Sequence, residues 1–346
     1  MKTTEYALEK AASEKIHLHL AVVENATQLD EDFIAFLKKH QIGVSVSFDL
    51  PLDVHDKHRP FLSGKGSSAK IDRNLKRLLE QEISPGVRVT LSTLNQSRII
   101  ESIQYLKALG IRDAAFIGME KAYAKAQNCD LSPPEPEKLM AAYSATLQYV
   151  KELYHQEGYF FRFDPVANMM STIMSGGSLQ TCGMGRDFFS LNTNGDIHTC
   201  QRVRVPNFFV ANIFDDDLFD KLEHVPENKR SPTLLTPFME KTHTCSEPNH
   251  CSYCNTEQKN PCQSCEYLIF CGSGCAAAAW EQYGCKNYGY THFGDSGTMG
   301  HEKCQYTKKY INQLFWEYID LDESNKQNFD YWQQVGAIKK DFWKNY

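Results

Sequence analysis

Of the twelve cysteines in this 346-residue chain, only Cys129 lies in the first 181 residues, and the other eleven crowd into residues 182 to 304. That asymmetry divides the chain into two regions built on different principles. Within the second, CQSCEYLIFCGSGC (262 to 275) spaces four thiols as C-x2-C-x5-C-x3-C. Cytoplasm is the expected compartment, because MKTTEYALEKAASEKIHLHL lacks the apolar core of a signal peptide and no run of about 18 apolar residues exists to span a membrane. In a reducing compartment, clustered cysteines bind metal or do redox work more often than they form disulfides. The formal net charge of −6 offers no basic stripe for nucleic acid, and the hydrophobic fraction of 42% is ample for a core.

The first region alternates strand and helix patterns. A helix is expected at about 4 to 13, then IHLHLAVV from Ile16 as a strand, LDEDFIAFLKKH as a helix, VSVSF from Val44 as a strand and IDRNLKRLLE as a helix. VRVTL from Val87, the helix RIIESIQYLKAL, AAFIG from Ala114 and a long helix over about 135 to 154 follow. Such alternation implies βα units and a parallel sheet. Leu29, Phe33, Ile34 and Leu37, and likewise Leu75, Leu78 and Leu79, recur at helical spacing and read as core faces.

The second region opens on a hairpin signature, FFSLNTNGDIHTC, with Asn194-Gly195 between alternating residues. A loop rich in Cys, Pro and Asn follows at 242 to 265, and two helices are expected at about 303 to 320 and 328 to 344. Cys182 and Cys200 bracket the hairpin turn as C-x12-G-x4-C, which brings two thiols toward each other. Thiolates at such spacings converge on one ion or one iron–sulfur cube. Taken alone, CQSCEYLIFCGSGC suits zinc nearly as well as iron. Cys245, Cys251 and Cys254 in THTCSEPNHCSYCNTEQKN, with His250 nearby, form half of a zinc site, extra cluster ligands or redox-active thiols.

The full pattern, C-x12-G-x4-C, then C-x2-C-x5-C-x3-C and a final cysteine, resembles the SPASM domain of radical S-adenosylmethionine (SAM) enzymes that modify peptides and proteins. These include anaerobic sulfatase maturases and ribosomal-peptide maturases. The resemblance implies an α/β fold: a partial (βα) barrel at 1 to 175, a cysteine-rich SPASM domain with a β-hairpin and helices at 176 to 310, and C-terminal helices at 311 to 346. It also implies two auxiliary [4Fe-4S] clusters. Cys182, Cys200 and Cys275 would hold one; Cys262, Cys265, Cys271 and Cys304 would hold the other, with Cys285 as the rival for its last position. No further cysteine occurs in MSGGSLQ before Cys182, so a fourth ligand of the first cluster would come from the inserted loop or from substrate.

In the first region, VSVSFDLPLDVHDKHRPFLSGKGSS resembles the radical SAM segment S-I-D-G-P, H-D-x-x-R, G-K-G-S-F, and ENATQL resembles a preceding strand end. Asn25, Ser47, Asp49 and Arg59 would then stand at the rim of the SAM cavity. On the residues alone, Asp49 and Arg59 read equally well as a surface ion pair, and HDKHR as a solvated loop. Neither C-x3-C-x2-C nor G-G-E-P occurs in the sequence. By the resemblance, Met1 falls after the second barrel strand, leaving about four of six strands and an open edge for a partner protein to cover. SAM would bind productively only if the cluster-binding segment were supplied. Gln201 follows Cys200 where sulfatase maturases carry an Asp that accepts a proton, and a neutral amide cannot be that base. The expected function is therefore iron–sulfur chemistry on some other peptide or protein. Its rivals are a non-catalytic scaffold that binds a precursor peptide or a maturase, and a zinc-bound regulatory protein.

Overall fold

The computed structural model describes residues 2–119, 131–178, 182–226, 229–230, 265–271, 275, 277, 299–319 and 330–335, with backbone only at 299–303. These fall into two compact units, one within Met1–Met119, Cys129–Ser171 and Glu317–Tyr346, the other within Thr172–Trp316. No described helix is long and apolar enough to cross a membrane.

The first unit begins with α1 (Lys2–Ser13) and then repeats strand and helix: β1 (Ala21–Glu24), α2 (Glu31–Lys39), β2 (Gly43–Ser47), α3 (Leu52–His58) and α4 (Ser68–Glu80). It continues through β3 (Gly86–Leu91), α5 (Ile99–Ala108), β4 (Asp113–Gly118), α6 (Pro136–Glu157), β5 (Arg162–Phe163) and α7 (Asp164–Met174). The five strands are parallel in the order β1-β2-β3-β4-β5. Parallel neighbours in chain order, joined by right-handed crossovers, place every connecting helix on the same face, which is the geometry of a barrel wall. The fifth strand exceeds the four expected from sequence; two residues, Arg162 and Phe163, are too few to show a period.

Burial follows that topology. Val44, Val46, Val87, Val89, Leu91, Ala114 and Phe116 are buried, as are Ile34 and Leu37 of α2, Leu75 and Leu78 of α4, and Leu147 and Val150 of α6. The alternate positions Ser45, Ser47, Arg88, Thr90, Ala115 and Ile117 are half-buried or exposed. A parallel sheet normally buries both faces. This one keeps an open face, polar at Ser45, Ser47, Arg88 and Thr90 and apolar at Ala115 and Ile117. β1 stands at the sheet edge, with Val23 61% exposed. Tyr331 and Trp332, from the short described piece of the last expected helix, are fully buried, and Tyr331 meets Tyr154 and Phe160.

The second unit contains the expected hairpin, β6 (Ser190–Leu191) and β7 (Asp196–His198), extended by a third antiparallel strand, β8 (Phe209–Asn212). The short helices α8 (Leu218–Glu223) and α9 (Leu268–Cys271) and the long α10 (Met299–Ile319) complete its described elements. Gly195 has φ +89°, and a Cβ there would come within 3.1 Å of the Asn212 side chain. Left-handed backbone and close approach together explain the glycine five residues before Cys200.

Candidate functional site

A polar knot lies beneath the carboxyl ends of β2 and β3. Asp49, two residues past β2, is buried. Its Oδ2 accepts from Arg59 Nε at 2.8 Å and faces His58 Nδ1 at 3.1 Å, and its Oδ1 accepts from the Thr90 amide at 2.6 Å. Burial by itself raises the carboxyl pKa. The His58 hydrogen bond, the Arg59 charge and hydrogen bond and the Thr90 amide outweigh it, bringing it down to about 2. The pair anticipated from sequence is therefore real, but its acid is interior rather than on the surface.

HDKHR is likewise no solvated loop. The Asp49 amide donates to His55 Nδ1 at 3.0 Å, so the ring proton sits on Nε2 and is directed at Ser67 Oγ, 3.0 Å away. Ser67 in turn donates to the Arg59 carbonyl at 2.6 Å. Desolvation, the largest influence, pushes the His55 pKa down to about 4. Asp56 accepts from the amide and hydroxyl of Ser68 at 2.8 and 2.9 Å, satisfying the first turn of α4. Asn95 ties the neighbouring loop in, donating to the carbonyls of Leu50 and Thr90 at 2.9 and 3.0 Å. His58 Nε2 lies 2.9 Å from Ser92 Oγ, and His55, His58, Ser92 and Asn95 were not singled out from sequence. A second histidine three residues after the first, at helical spacing, was the available signal.

Of the four predicted rim residues, Asp49 and Arg59 are in contact. Ser47 closes β2 on the open face, register partner of Arg88. Asn25 stands one strand away just past β1, where its Oδ1 accepts from the amide and hydroxyl of Thr27 at 3.0 and 2.8 Å.

The described thiols fall into two groups. Burial, the largest influence, pushes the Cys200 thiol up, and negative charge on Cys275 and Cys182 adds to it. The Arg202 amide donates to Cys200 Sγ at 3.4 Å, and Cys200 packs against the apolar cluster of Met184, Val203, Phe208 and Ala277. Burial likewise pushes Cys304 up, where it also feels Cys265 and the opposing charge of Lys308. Cys271, half-buried, ends α9. Cys245, Cys251, Cys254, Cys262 and Cys285 lie outside the described residues. Among those described, no three His, Cys, Asp or Glu side chains are close enough to share a single ion.

No protein-family model matches the chain. It is 22% identical over 277 residues, 78% of its length, to the cysteine-type anaerobic sulfatase-maturating enzyme of Clostridium novyi (strain NT). It is 21% identical over 272 residues, 75% of its length, to that of Clostridium perfringens (strain 13 / Type A). The chain spans 66% and 65% of these curated relatives, just under two thirds of their length. Among solved structures, a histidine-tagged anSMEcpe with bound AdoMet superposes with a TM-score of 0.69 at 15% identity, over 97% of this chain and 80% of that one. Native anSMEcpe with bound AdoMet and Cp18Cys peptide gives 0.66 at 15% identity, over 93% and 81%. Streptococcus suis SuiB gives 0.51 at 15% identity, over 80% and 60%. The relatives of this chain are thus anaerobic sulfatase-maturating enzymes, which are radical SAM proteins, and its mixed α/β fold with a parallel sheet is theirs.

Proposed function

We propose that the chain acts in radical SAM modification of a peptide or protein. In this reading the open face of its parallel sheet is one wall of the SAM and substrate cavity, and its cysteine-rich SPASM unit holds two auxiliary [4Fe-4S] clusters. The observation that carries the reading is the sorting of thiols: Cys200 feels Cys182 and Cys275, while Cys304 feels Cys265. They agree with the two ligand sets that the resemblance implies, in which Cys262 and Cys271 would complete the second. The thiolates of a cube each bind a different iron, so such groups converge without sharing one ion. A backbone amide on Cys200 Sγ and an apolar wall behind it suit a buried anionic cluster. Bound there, the clusters would accept or relay an electron from the substrate. The fourth ligand of the first set would come from substrate or from Cys245, Cys251 or Cys254, which otherwise make a zinc site.

On the barrel side, the Asp49 carboxylate is fully engaged by Arg59, His58 and Thr90, so it builds the wall that would present Ser47 and the half-exposed guanidinium of Arg59, whose Nη2 also donates to Thr90 Oγ1 at 3.1 Å, to SAM. Asn25 would complete the rim. A peptide is the favoured substrate class, since a neighbour of the same fold is described with a bound peptide. Gln201 beside Cys200 points away from a sulfatase. The β1 edge, with Val23 exposed, is where a partner protein would add.

A second reading has its own observation. The 346 residues contain no C-x3-C-x2-C motif, which suits a scaffold that binds a precursor peptide or a maturase without cleaving SAM itself. Anaerobic reconstitution with iron and sulfide counting and EPR tests the main reading. Two [4Fe-4S] clusters are expected, and stoichiometric zinc without sulfide would refute it. 5′-Deoxyadenosine formation by this chain alone would eliminate the scaffold reading.

A further inference from the structure

Along α10, Cys304, Lys308 and Asn312 recur every four residues and so share one face. Two contacts join that face to the segment that begins at Cys265, and the Lys308 ammonium feels the charge of both Cys265 and Cys304. Its Nζ lies 5.4 Å from the centroid of the Tyr267 ring. The Tyr267 hydroxyl donates to Asn312 Oδ1 at 2.9 Å. Tyr267 is thus fastened at its far end to the same helix face, and its ring fixes where the ammonium sits. The neighbouring Lys309 is exposed and lies over Tyr306 instead, 5.2 Å from the centroid.

We propose that Lys308 is a positioning residue that sets the reduction potential of the cluster held by Cys265 and Cys304. The inference rests on the iron–sulfur reading above. Reduction places one electron on a site that is already net negative, with no bond made or broken. A cation fixed beside the ligand sulfurs therefore stabilises the reduced form more than the oxidised form. Lys308 makes the site easier to reduce.

The test is a dithionite titration of the anaerobically reconstituted full chain, followed by EPR, with iron and sulfide counted in every sample. Lys308→Met is expected to lower one of the two couples, shifting its reduction equilibrium about tenfold, or ~59 mV for a one-electron couple. The other couple should stay in place, Lys308→Arg should restore most of the shift, and Lys309→Met should change neither. Unmoved couples in Lys308→Met at full iron and sulfide content would overturn the inference. If Lys308→Met loses iron, Lys308→Gln is read in its place. Loss of iron from both neutral variants but not from Lys308→Arg would also overturn it, assigning Lys308 to building the site rather than tuning it. Wild-type protein without iron and sulfide would instead refute the reading beneath it.

Discussion

The two units hold their shape by different means. In the first, long helices bury Ile34, Leu75, Leu147 and their neighbours against a five-stranded sheet, and Asp49, His55 and Asn95 inside it find partners. In the described part of the second, strands of two to four residues accompany one cluster of Met184, Val203, Phe208 and Ala277, and Ile311 and Leu314 of α10 are buried as well. Burial of one such side chain returns about 1.5–3 kcal/mol, while each ordered residue costs about 1–2 kcal/mol of backbone entropy. If its thiols hold clusters as proposed, the second unit would lean on them more than the first, which in that reading carries none. Metal sites of this kind couple binding to folding.

The hardest test of that contrast is removal of iron. Chelation of the reconstituted protein should lower hydrogen-exchange protection across Ser190–Asn212 by more than about a hundredfold, consistent with the coupling of metal binding to folding. Amides of β2 and β3 should keep theirs. Equal retention in both units would show that the second stands without metal, and the contrast would fail.

Within the first unit, the Asp49 knot is the point at which partnered polar groups can be turned into a liability. Asp49→Ala leaves His58 and Arg59 without their shared acceptor. Breaking a buried pair costs about 3–5 kcal/mol. The lower end, about 3 kcal/mol, is expected because the Arg59 side chain is 40% exposed and can turn to water. Urea denaturation followed by the signal of the first unit measures it. A loss under about 1 kcal/mol would mean that the knot is ornamental to stability.

The same knot predicts an acid response in two windows. His55 has its pKa depressed to about 4 from 6.5, so between those values the unfolded chain binds a proton that the folded chain does not. Stability therefore falls as pH drops through that window, by about 3 kcal/mol at 1.36 kcal/mol per pH unit. Asp49, depressed from 3.8 to about 2, adds a second loss, of about 2 kcal/mol, as pH falls from near 4 through its folded value. His55→Asn should flatten the first window and leave the second. Urea midpoints at pH 7 and pH 4 for both proteins decide it, and parallel slopes would remove His55 from the account.

How much of this was legible in the sequence varies with the kind of interaction. Leu29, Ile34, Leu37, Leu75 and Leu78 declared the core because helical spacing is local, and Asn194-Gly195 declared the hairpin because a turn is local too. β5 was missed since two residues carry no period, and β8 since Phe209–Asn212 gains its partner only through tertiary pairing with β7. α3 was hidden within LDVHDKH, where His55 and His58, which look solvent-seeking, are in fact inward. The rim residues were placed by resemblance. That Asp49 is enclosed and Arg59 only half so depends on contacts from Thr90, 41 residues on, which no local pattern records.

The smallest expected effect discriminates most finely between a designed joint and a loop. A Cβ on Gly66 would lie 2.3 to 2.6 Å from the carboxylate atoms of Asp56. A long side chain could swing aside at little cost, but Asp56 is short and is held by two hydrogen bonds from Ser68 at the start of α4. Gly66→Ala therefore forces out the group that satisfies the first turn of that helix, a loss of about 1–2 kcal/mol, the scale of deleting an N-terminal cap. Because the clash and the cap are one interaction, Gly66→Ala combined with Asp56→Ala should cost no more than Asp56→Ala alone, and a double-mutant cycle on urea midpoints reads this directly. Additive losses would mean that glycine is needed there for its backbone alone, and that the G-K-G-S stretch is a turn beside the knot rather than a part of it.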